Sequence, residues 1–288
     1  VTRGTAMALK GKALMYWASP QFNPTNIASR WEDAYLANKA AYDQCIADGY
    51  ALVPRYSDIF LTEDHKEAMI VRKYTTTRDW GTNIESIVRP ISEAPGASGS
   101  FQPTWNLVQA YTTKEGLPIT HASSGYNAVQ FWQNRDPRFD ASIAYNGVLW
   151  PLSGKTDRRQ WQYNGVPEEA ASSIVTGFYC RRFCNTSLTP TQAAYVSSTG
   201  GGSGMDWIEM RFAEVIMNLA ECANETGRLT DAKNYVRMIR QRAGIVAGSF
   251  DFGLAVATDA ASMRTLILNE RQVEFALEGK RYHDLRRT

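Results

Sequence analysis

Residues 206–227 read DWIEMRFAEVIMNLAECANETG and open the part of the chain that carries most of the fold information. Asp206 stands three residues before Glu209, which is the spacing of a helix capping box. Apolar residues then recur at intervals of three and four, which places them on one helical face: Ile208, Phe212, Val215, Leu219 and Cys222. We therefore predict one buried helix that begins at Asp206 and ends before Gly227, a typical helix terminator.

Two more helices follow this segment. Residues 229–243 repeat the apolar spacing and end at Gly244, and the very short connection makes the first two helices an antiparallel hairpin. The third helix is predicted from about Asp259 to Leu277. Its apolar face includes Glu270, which must have a cation as partner because an unpaired buried carboxylate costs several kcal/mol.

Residues 1–53 predict another helical hairpin. Its first helix runs from Thr2 to Ala18, and its second helix has Ser29 and Glu32 at capping-box spacing and ends at Gly49. On the first helix, the spacing predicts this inner face: Ala6, Leu9, Ala13, Tyr16 and Trp17. Two hairpins with small residues at their contact faces are typical of tetratricopeptide-like units.

Residues 54–204 have a different character, because Gly, Pro, Ser, Thr and Asn recur and apolar runs are short. We predict helical pieces from Asp64 to Tyr74 and from Trp105 to Ala110. The segments ASIAYNGVLW and GFYCRRF alternate like short strands, with a turn signal at Asn146 and Gly147. Long irregular stretches of this kind usually carry functional loops on a rigid frame.

The predicted fold is mainly α. Its frame consists of tetratricopeptide-like antiparallel helix pairs, an α-solenoid arrangement in which residues 1–53 pack with residues 205–288 as one domain. Residues 54–204 form a loop-rich insertion with short helices and β-strands.

Composition and motifs exclude several classes of function. The net charge of +2 gives no strong electrostatic field for binding nucleic acid. The sequence contains no run of eighteen apolar residues, which is the length needed to span a membrane. The three histidines lack metal-ligand spacing, and there is no persuasive Ser-His-Asp order or phosphate-binding glycine loop. We therefore predict no catalytic residue, no metal site and no cofactor.

The four cysteines are predicted to be free thiols. Cys45 and Cys222 fall on apolar helix faces and are expected to be buried. Cys180 and Cys184 lie in a strand-like segment, where four residues span about 13 Å, beyond the reach of a disulfide.

Aromatic residues in the loop-rich insertion are the candidates for ligand binding. Trp80 stands among Arg78, Asp79 and Asn83, and an exposed indole beside polar groups can hold a sugar by stacking and hydrogen bonding. Other candidate rings in the same region are Tyr126, Trp132 and Trp161. Ordinary packing in the core is the alternative for each ring.

Three blocks of the chain resemble the C-terminal signature of the SusD/RagB family: RFAEVIMNLAECANETG, YVRMIRQRAG and NERQVEFALEGKRYHDLRR. NRDPRF, at residues 134–139, also resembles a segment of that family. Its charged residues can cap a helix and pair with carboxylates. We therefore predict a structural network of ions formed by Glu270, Glu274, Arg281, Asp284, Arg135, Asp136 and Arg138.

Members of this family are outer-membrane nutrient-binding lipoproteins of Bacteroidota. The resemblance implies non-catalytic binding of an oligosaccharide or another nutrient on the outer face of the outer membrane, and delivery to a SusC-like TonB-dependent transporter. Family members have a signal peptide and a lipidation cysteine that this chain lacks, and they continue beyond the DLRR block. We therefore expect a fragment, a trimmed product or a truncated core of such a protein, which would reach the membrane only through that lipid anchor.

Two other functions remain open from the sequence. A helical-repeat scaffold that binds only protein would show no response to soluble glycans. A glycoside hydrolase would release product from a polysaccharide through two acids that face one cleft.

Overall fold

The computed structural model describes residues 2–77, 81–94, 99, 101–163, 165–166, 175–196 and 200–288. The α-helices are α1 (Arg3–Ala18), α2 (Ala28–Ala47), α3 (Ile84–Val88), α4 (Trp105–Ala110), α5 (Pro137–Ser142), α6 (Pro190–Ala193), α7 (Phe212–Glu225), α8 (Leu229–Arg242), α9 (Ala260–Glu274) and α10 (Lys280–Arg287). The β-strands are β1 (Ala68–Arg72), β2 (Ile143–Ala144), β3 (Val148–Leu149), β4 (Arg159–Gln160), β5 (Tyr179–Cys180), β6 (Tyr195–Val196), β7 (Gly200–Gly201) and β8 (Trp207–Arg211).

The long helices form the frame. Helix α1 packs along α2, α2 packs on α7, and α7 contacts both α8 and α9. Between them lies an apolar core that includes Ala41, Val215, Val236 and Ile267. The predicted fold class, mainly α with tetratricopeptide-like helix pairs, is confirmed. Every helix that the structure describes is too short or too polar to serve as a transmembrane span.

The inner face of α1 differs from the prediction. The face against α2 consists of small residues and one methionine: Gly4, Ala8, Gly11, Met15 and Ala18. The predicted face is wrong, since Ala6, Leu9, Ala13 and Trp17 are exposed and Tyr16 is half-buried. The reason is close approach: a Cβ atom on Gly11 would lie 2.6 Å from Asn38 Oδ1.

The predicted helix over residues 206–227 is wrong in its first turn. Residues 207–211 form β8, which pairs antiparallel with β1, and α7 begins only at Phe212. Asp206 does not cap a helix; its carboxylate accepts a hydrogen bond from the backbone N–H of Tyr74 at 2.9 Å. The predicted helix from Asp64 to Tyr74 is also wrong, because this segment contains β1, the strand that pairs with β8.

Two predicted helix ends also change. Helix α2 begins at Ala28, with Ile27 at the cap position and no side-chain cap, so the capping box of Ser29 and Glu32 is wrong. Helix α9 begins directly after Asp259, as predicted, and Asp259 caps it by accepting a hydrogen bond from the backbone N–H of Ser262 at 2.8 Å. It ends at Glu274 rather than near Leu277. The predicted pieces at α4 and α8 are confirmed.

The turn signal at Asn146 and Gly147 does not indicate how the short strands of the insertion pair. Strand β2 pairs with β5, and β3 pairs with β4. The turn at Asn146 and Gly147 separates β2 from β3 without joining them as a hairpin. All four cysteines are free and buried, and the burial predicted for Cys45 and Cys222 is confirmed. Helix α4 packs on α9 and so places the insertion against the frame.

Candidate functional site

A buried ion network joins the insertion to the frame. Each carboxylate in it contacts at least one guanidinium. Among the described residues, the network contains five of each charge: Glu67, Asp136, Glu270, Glu274, Glu278, Arg138, Arg182, Arg211, Arg240 and Arg242. The charges therefore cancel, which is the condition for burying so many ions.

Glu274 lies near the centre of this network. Its carboxylate contacts Arg138 at 2.8 Å, Arg211 at 2.6 Å and also Arg242. Burial by itself would raise the pKa of Glu274, but the three positive charges hold that pKa well below its ordinary value. Glu270 is held ionised in the same way by Arg138 and Arg240, which lower its pKa against the effect of burial.

The predicted network residues divide into separate environments. Glu270, Glu274, Asp136 and Arg138 belong to the network just described. Asp284 lies in a second buried cluster, where it pairs with Arg271 at 2.9 Å and with Arg287 at 2.8 Å.

The remaining two predicted network residues, Arg135 and Arg281, belong to neither cluster. Arg135 donates to the backbone carbonyls of Val108, Tyr111 and Phe131. Arg281 is half-buried, and no ion pair among the described residues includes it.

The NRDPRF motif forms the start of α5 and fixes the chain that precedes this helix. Asp136 accepts a hydrogen bond from the backbone N–H of Arg138 at 2.9 Å and so caps α5, while Pro137 occupies its first turn. The backbone N–H of Asp136 donates to the carbonyl of Thr112 at 2.9 Å. Arg138 then anchors the helix to α9 through Glu270 and Glu274. This attachment fixes the loop that carries Trp132.

Five aromatic residues near this loop form one contiguous cluster, the aromatic surface: Trp105, Phe131, Trp132, Tyr145 and Phe178. Trp132 stacks on Tyr145 with ring centroids 5.4 Å apart, and Trp105 stacks on Phe178 at 5.9 Å. Phe131 lies edge-on between the two stacks. Trp132 and Trp105 remain 36% and 42% exposed, so each stack presents an indole to solvent.

An open cavity of about 680 Å³ borders Trp132. Such a volume is within the range of ordinary small-ligand sites. Groups that can bind hydroxyls line it together with the indole, among them Lys114, Glu115, Ser123, Asn134 and Asp140. We call it the Trp132 cavity. It combines a flat apolar wall with several hydrogen-bonding groups.

The sequence candidates are distributed unevenly. Trp80, Asp79 and Arg78 lie outside the described residues. Asn83 is exposed directly before α3. Trp161 is half-buried against Gly147, where a Cβ atom would lie 3.2 Å from its ring, and it does not line the Trp132 cavity.

Tyr126 lies near the Trp132 cavity. The guanidinium of Arg135, which lines the cavity, stands 5.4 Å from the Tyr126 ring centre. The structure therefore brings together only two of the candidates that it describes, Tyr126 and Trp132.

Sequence reasoning missed Trp105 and Tyr145. Trp105 follows Thr104, whose side chain caps the short helix α4, and Tyr145 precedes the turn at Asn146. Their stacking partners come from distant segments, so the local sequence carries no signal for the pairing.

Among the residues described, no group of three or more His, Cys, Asp or Glu could hold a metal ion.

The model of the SusD family matches residues 65–288. A SusD-like protein of Formosa agariphila is 33% identical over 97 residues, which are 33% of this chain and 19% of that protein.

Solved structures show the same fold. A SusD-like protein of Bacteroides fragilis has a TM-score of 0.73 and 26% identity, with coverage of 100% of this chain and 54% of its own. Surface glycan-binding protein A of Bacteroides thetaiotaomicron, in complex with laminarihexaose, has a TM-score of 0.61 and 21% identity, with the same two coverages. The chain thus spans about half the length of these two solved relatives. Because the family model matches well over half of the sequence, the chain belongs to the SusD family.

Proposed function

We propose that this chain binds an oligosaccharide without reacting with it, at the Trp132 cavity and the adjoining aromatic surface. Membership of the SusD family supports the proposal, as does the fold shared with a surface glycan-binding protein solved with laminarihexaose. By the same reasoning, the whole protein acts at the outer face of the outer membrane. There it delivers its ligand to a SusC-like TonB-dependent transporter and is held by an N-terminal lipid anchor.

The observation that carries the proposal is the stack of Trp132 on Tyr145 at the edge of a polar cavity. An indole presents a flat apolar face to the C–H face of a sugar ring. Since Tyr145 supports the ring from behind, less side-chain freedom is lost when a ligand binds. Asn134 and Asp140 can then accept or donate hydrogen bonds to hydroxyls. The second stack, Trp105 on Phe178, offers a platform for a further sugar unit.

Titration of the protein with laminarihexaose and a panel of other oligosaccharides tests this site. For the glycan that binds, Trp132→Ala should weaken affinity at least about tenfold, a loss of about 1.4 kcal/mol. Trp17→Ala is the matched control, because Trp17 is a 45% exposed indole on α1. It should leave affinity unchanged. Equal affinities of the Trp132→Ala variant and the unsubstituted protein would refute the assignment.

Hydrolysis is a second candidate because Glu115 and Asp140 line the same cavity. Two carboxylates across one cleft are the minimal equipment of a glycosidase. We propose that they only bind hydroxyls, so a bound glycan incubated with the protein should be recovered uncut. Product release that disappears in both Glu115→Gln and Asp140→Asn would establish a hydrolase instead.

Delivery to a transporter requires a partner surface, and we place it on the outer side of the helix frame. Large apolar side chains exposed there include Leu9 on α1 and Leu36 on α2, at 45% and 57%. The full-length protein should co-purify with a SusC-like transporter from native membranes. A transporter complex combined with no response to any glycan would favour a scaffold that binds only protein.

A further inference from the structure

A second concave site lies between helix α10, the end of α1 and the loop that follows α1. It has a volume of about 450 Å³ and is lined by Tyr16, Gln21, Phe22, Tyr282, His283, Arg286 and Arg287. We call it the α10 pocket. It shares no lining residue with the Trp132 cavity.

Exposed aromatic rings border the α10 pocket. Phe22 is 54% exposed and Tyr282 is 61% exposed, which is unusual for rings of this size. The guanidinium of Arg286 stands 5.4 Å from the Tyr282 ring centre, and the His283 ring meets the same ring edge-on. A flat ring and a cation are therefore held side by side.

Of the two arginines that line this pocket, Arg287 is paired with Asp284 and Glu221, whereas Arg286 has no acidic partner. Among the described residues, no Asp or Glu lines the pocket. The nearest acid in sequence, Asp284, is buried and engaged by Arg271 and Arg287. In the part of the chain that the structure describes, neither Arg286 nor His283 takes part in an ion pair. Arg286 therefore offers the pocket a positive charge that no carboxylate of the described residues neutralises.

The walls of the pocket are tied together before any ligand arrives. The backbone N–H of Gln21 donates to the carbonyl of Arg287 at 3.1 Å. The Arg287 guanidinium donates to Ser19 Oγ at 3.0 Å and pairs with Glu221. The loop after α1 and helix α10 are thus fixed to one another, which lowers the entropic cost of binding.

We propose that the α10 pocket binds the anionic group of an acidic saccharide, a uronate carboxylate or a sulfate ester. Arg286 forms charge-assisted hydrogen bonds with the anion, for which the planar guanidinium is well matched. The sugar ring stacks on Tyr282 or Phe22. This site acts in addition to the Trp132 cavity and does not require that cavity to be the main glycan site.

Calorimetric titration of this chain with trigalacturonate, a sulfated oligosaccharide and neutral laminarihexaose tests the proposal. At least one anionic probe should bind, and the one that does identifies the recognised group. Its affinity should fall at least tenfold in Arg286→Gln and in Tyr282→Ala. Arg281→Gln is the matched control, because Arg281 is on the same helix but does not line the pocket. That variant should bind the anionic probe as the unsubstituted protein does.

Each contrary result is distinct. Failure of both anionic probes to bind overturns the proposal, and so does an equal loss in Arg281→Gln, which would indicate only diffuse positive charge. Loss of the anionic probe in Trp132→Ala but not in Arg286→Gln would place acidic sugars in the Trp132 cavity. Matching melting curves of all variants exclude misfolding as the cause of any loss.

Discussion

The buried acids of α9 show that a carboxylate on an apolar helix face predicts a cationic partner, even when the sequence does not identify that partner. Glu270 lies on an apolar stripe, so its burial required a cation, and the structure supplies Arg138 and Arg240. Glu274 has three guanidinium partners from three separate elements, α5, β8 and α8. Removing one member of such a set leaves the others buried without compensation, which costs more than the pair itself contributes.

We expect Glu274→Gln to lower the free energy of unfolding by about 3–5 kcal/mol, the usual cost of breaking a buried pair. The amide keeps the shape but leaves the charges of Arg138, Arg211 and Arg242 with less compensation. Urea denaturation measures the change. The control is Asp43→Asn, which removes the exposed pair with Lys39 and should cost less than about 1 kcal/mol. A comparable small loss for Glu274→Gln would show that the network is not stabilising.

Helix pairing in the frame depends on where glycine is placed. Gly4 and Gly11 let α1 approach α2 so closely that a Cβ atom at either position would lie less than 3.0 Å from an atom of α2 or its cap. Asn38 of α2 is fully buried at this contact and donates to the carbonyls of Gly11 and Ala34. Larger residues such as Leu9 and Trp17 consequently face outward.

Gly11→Ala should lower stability even though alanine is the better helix former. The gain in helix propensity is about 1 kcal/mol, whereas overpacking a tight contact costs about 1–3 kcal/mol. The added methyl group meets Asn38, whose hydrogen bonds restrain it. Thermal or urea unfolding checks the sign. In the same helix, Ala13→Gly at an exposed position should cost about 1 kcal/mol through propensity alone. An increase in stability for Gly11→Ala would contradict the close approach.

In the whole molecule, paired charges connect parts of the chain that are far apart in sequence. The main network takes Glu67, Asp136 and Arg182 from the insertion and Arg211 and Glu274 from the C-terminal part. The second cluster joins α10 to the loop after α1 through Arg287 and Ser19. These ties mount the aromatic surface rigidly on the helix frame, as a preformed binding site requires.

This arrangement predicts sensitivity to acid. The pKa values of Glu270, Glu274, Glu214 and Asp284 are all lowered in the folded protein by neighbouring cations, against the effect of burial. Groups with lowered folded pKa values stabilise the fold above their ordinary pKa, and this contribution disappears as the pH falls through the lowered values. Burial raises the pKa values of Glu85 and Asp140, which acts in the opposite direction, but more of the described carboxyl groups have lowered pKa values than raised ones.

The midpoint of urea unfolding should therefore stay nearly constant from about pH 7 to about pH 5 and fall steeply below about pH 4.5. A series of urea titrations across this range measures the profile. In Glu274→Gln the fall should be shallower, because one of the titrating groups is gone. A midpoint at about pH 3.5 equal to that at about pH 6 would contradict the stabilising role of the ionised network.

Local sequence patterns were enough to predict the mainly α fold, the positions of α4 and α8, the start of α9, the resemblance to the SusD family and the need of Glu270 for a cation. These features follow from spacing and capping within a few residues, or from extended motifs that can be read directly. Three features could be seen only in the three-dimensional arrangement: residues 207–211 form a strand, α1 turns its glycines inward, and Trp132 and Trp105 are stacked yet exposed. Strand pairing, close helix approach and ring exposure depend on segments far apart in the chain, so no local pattern contains them.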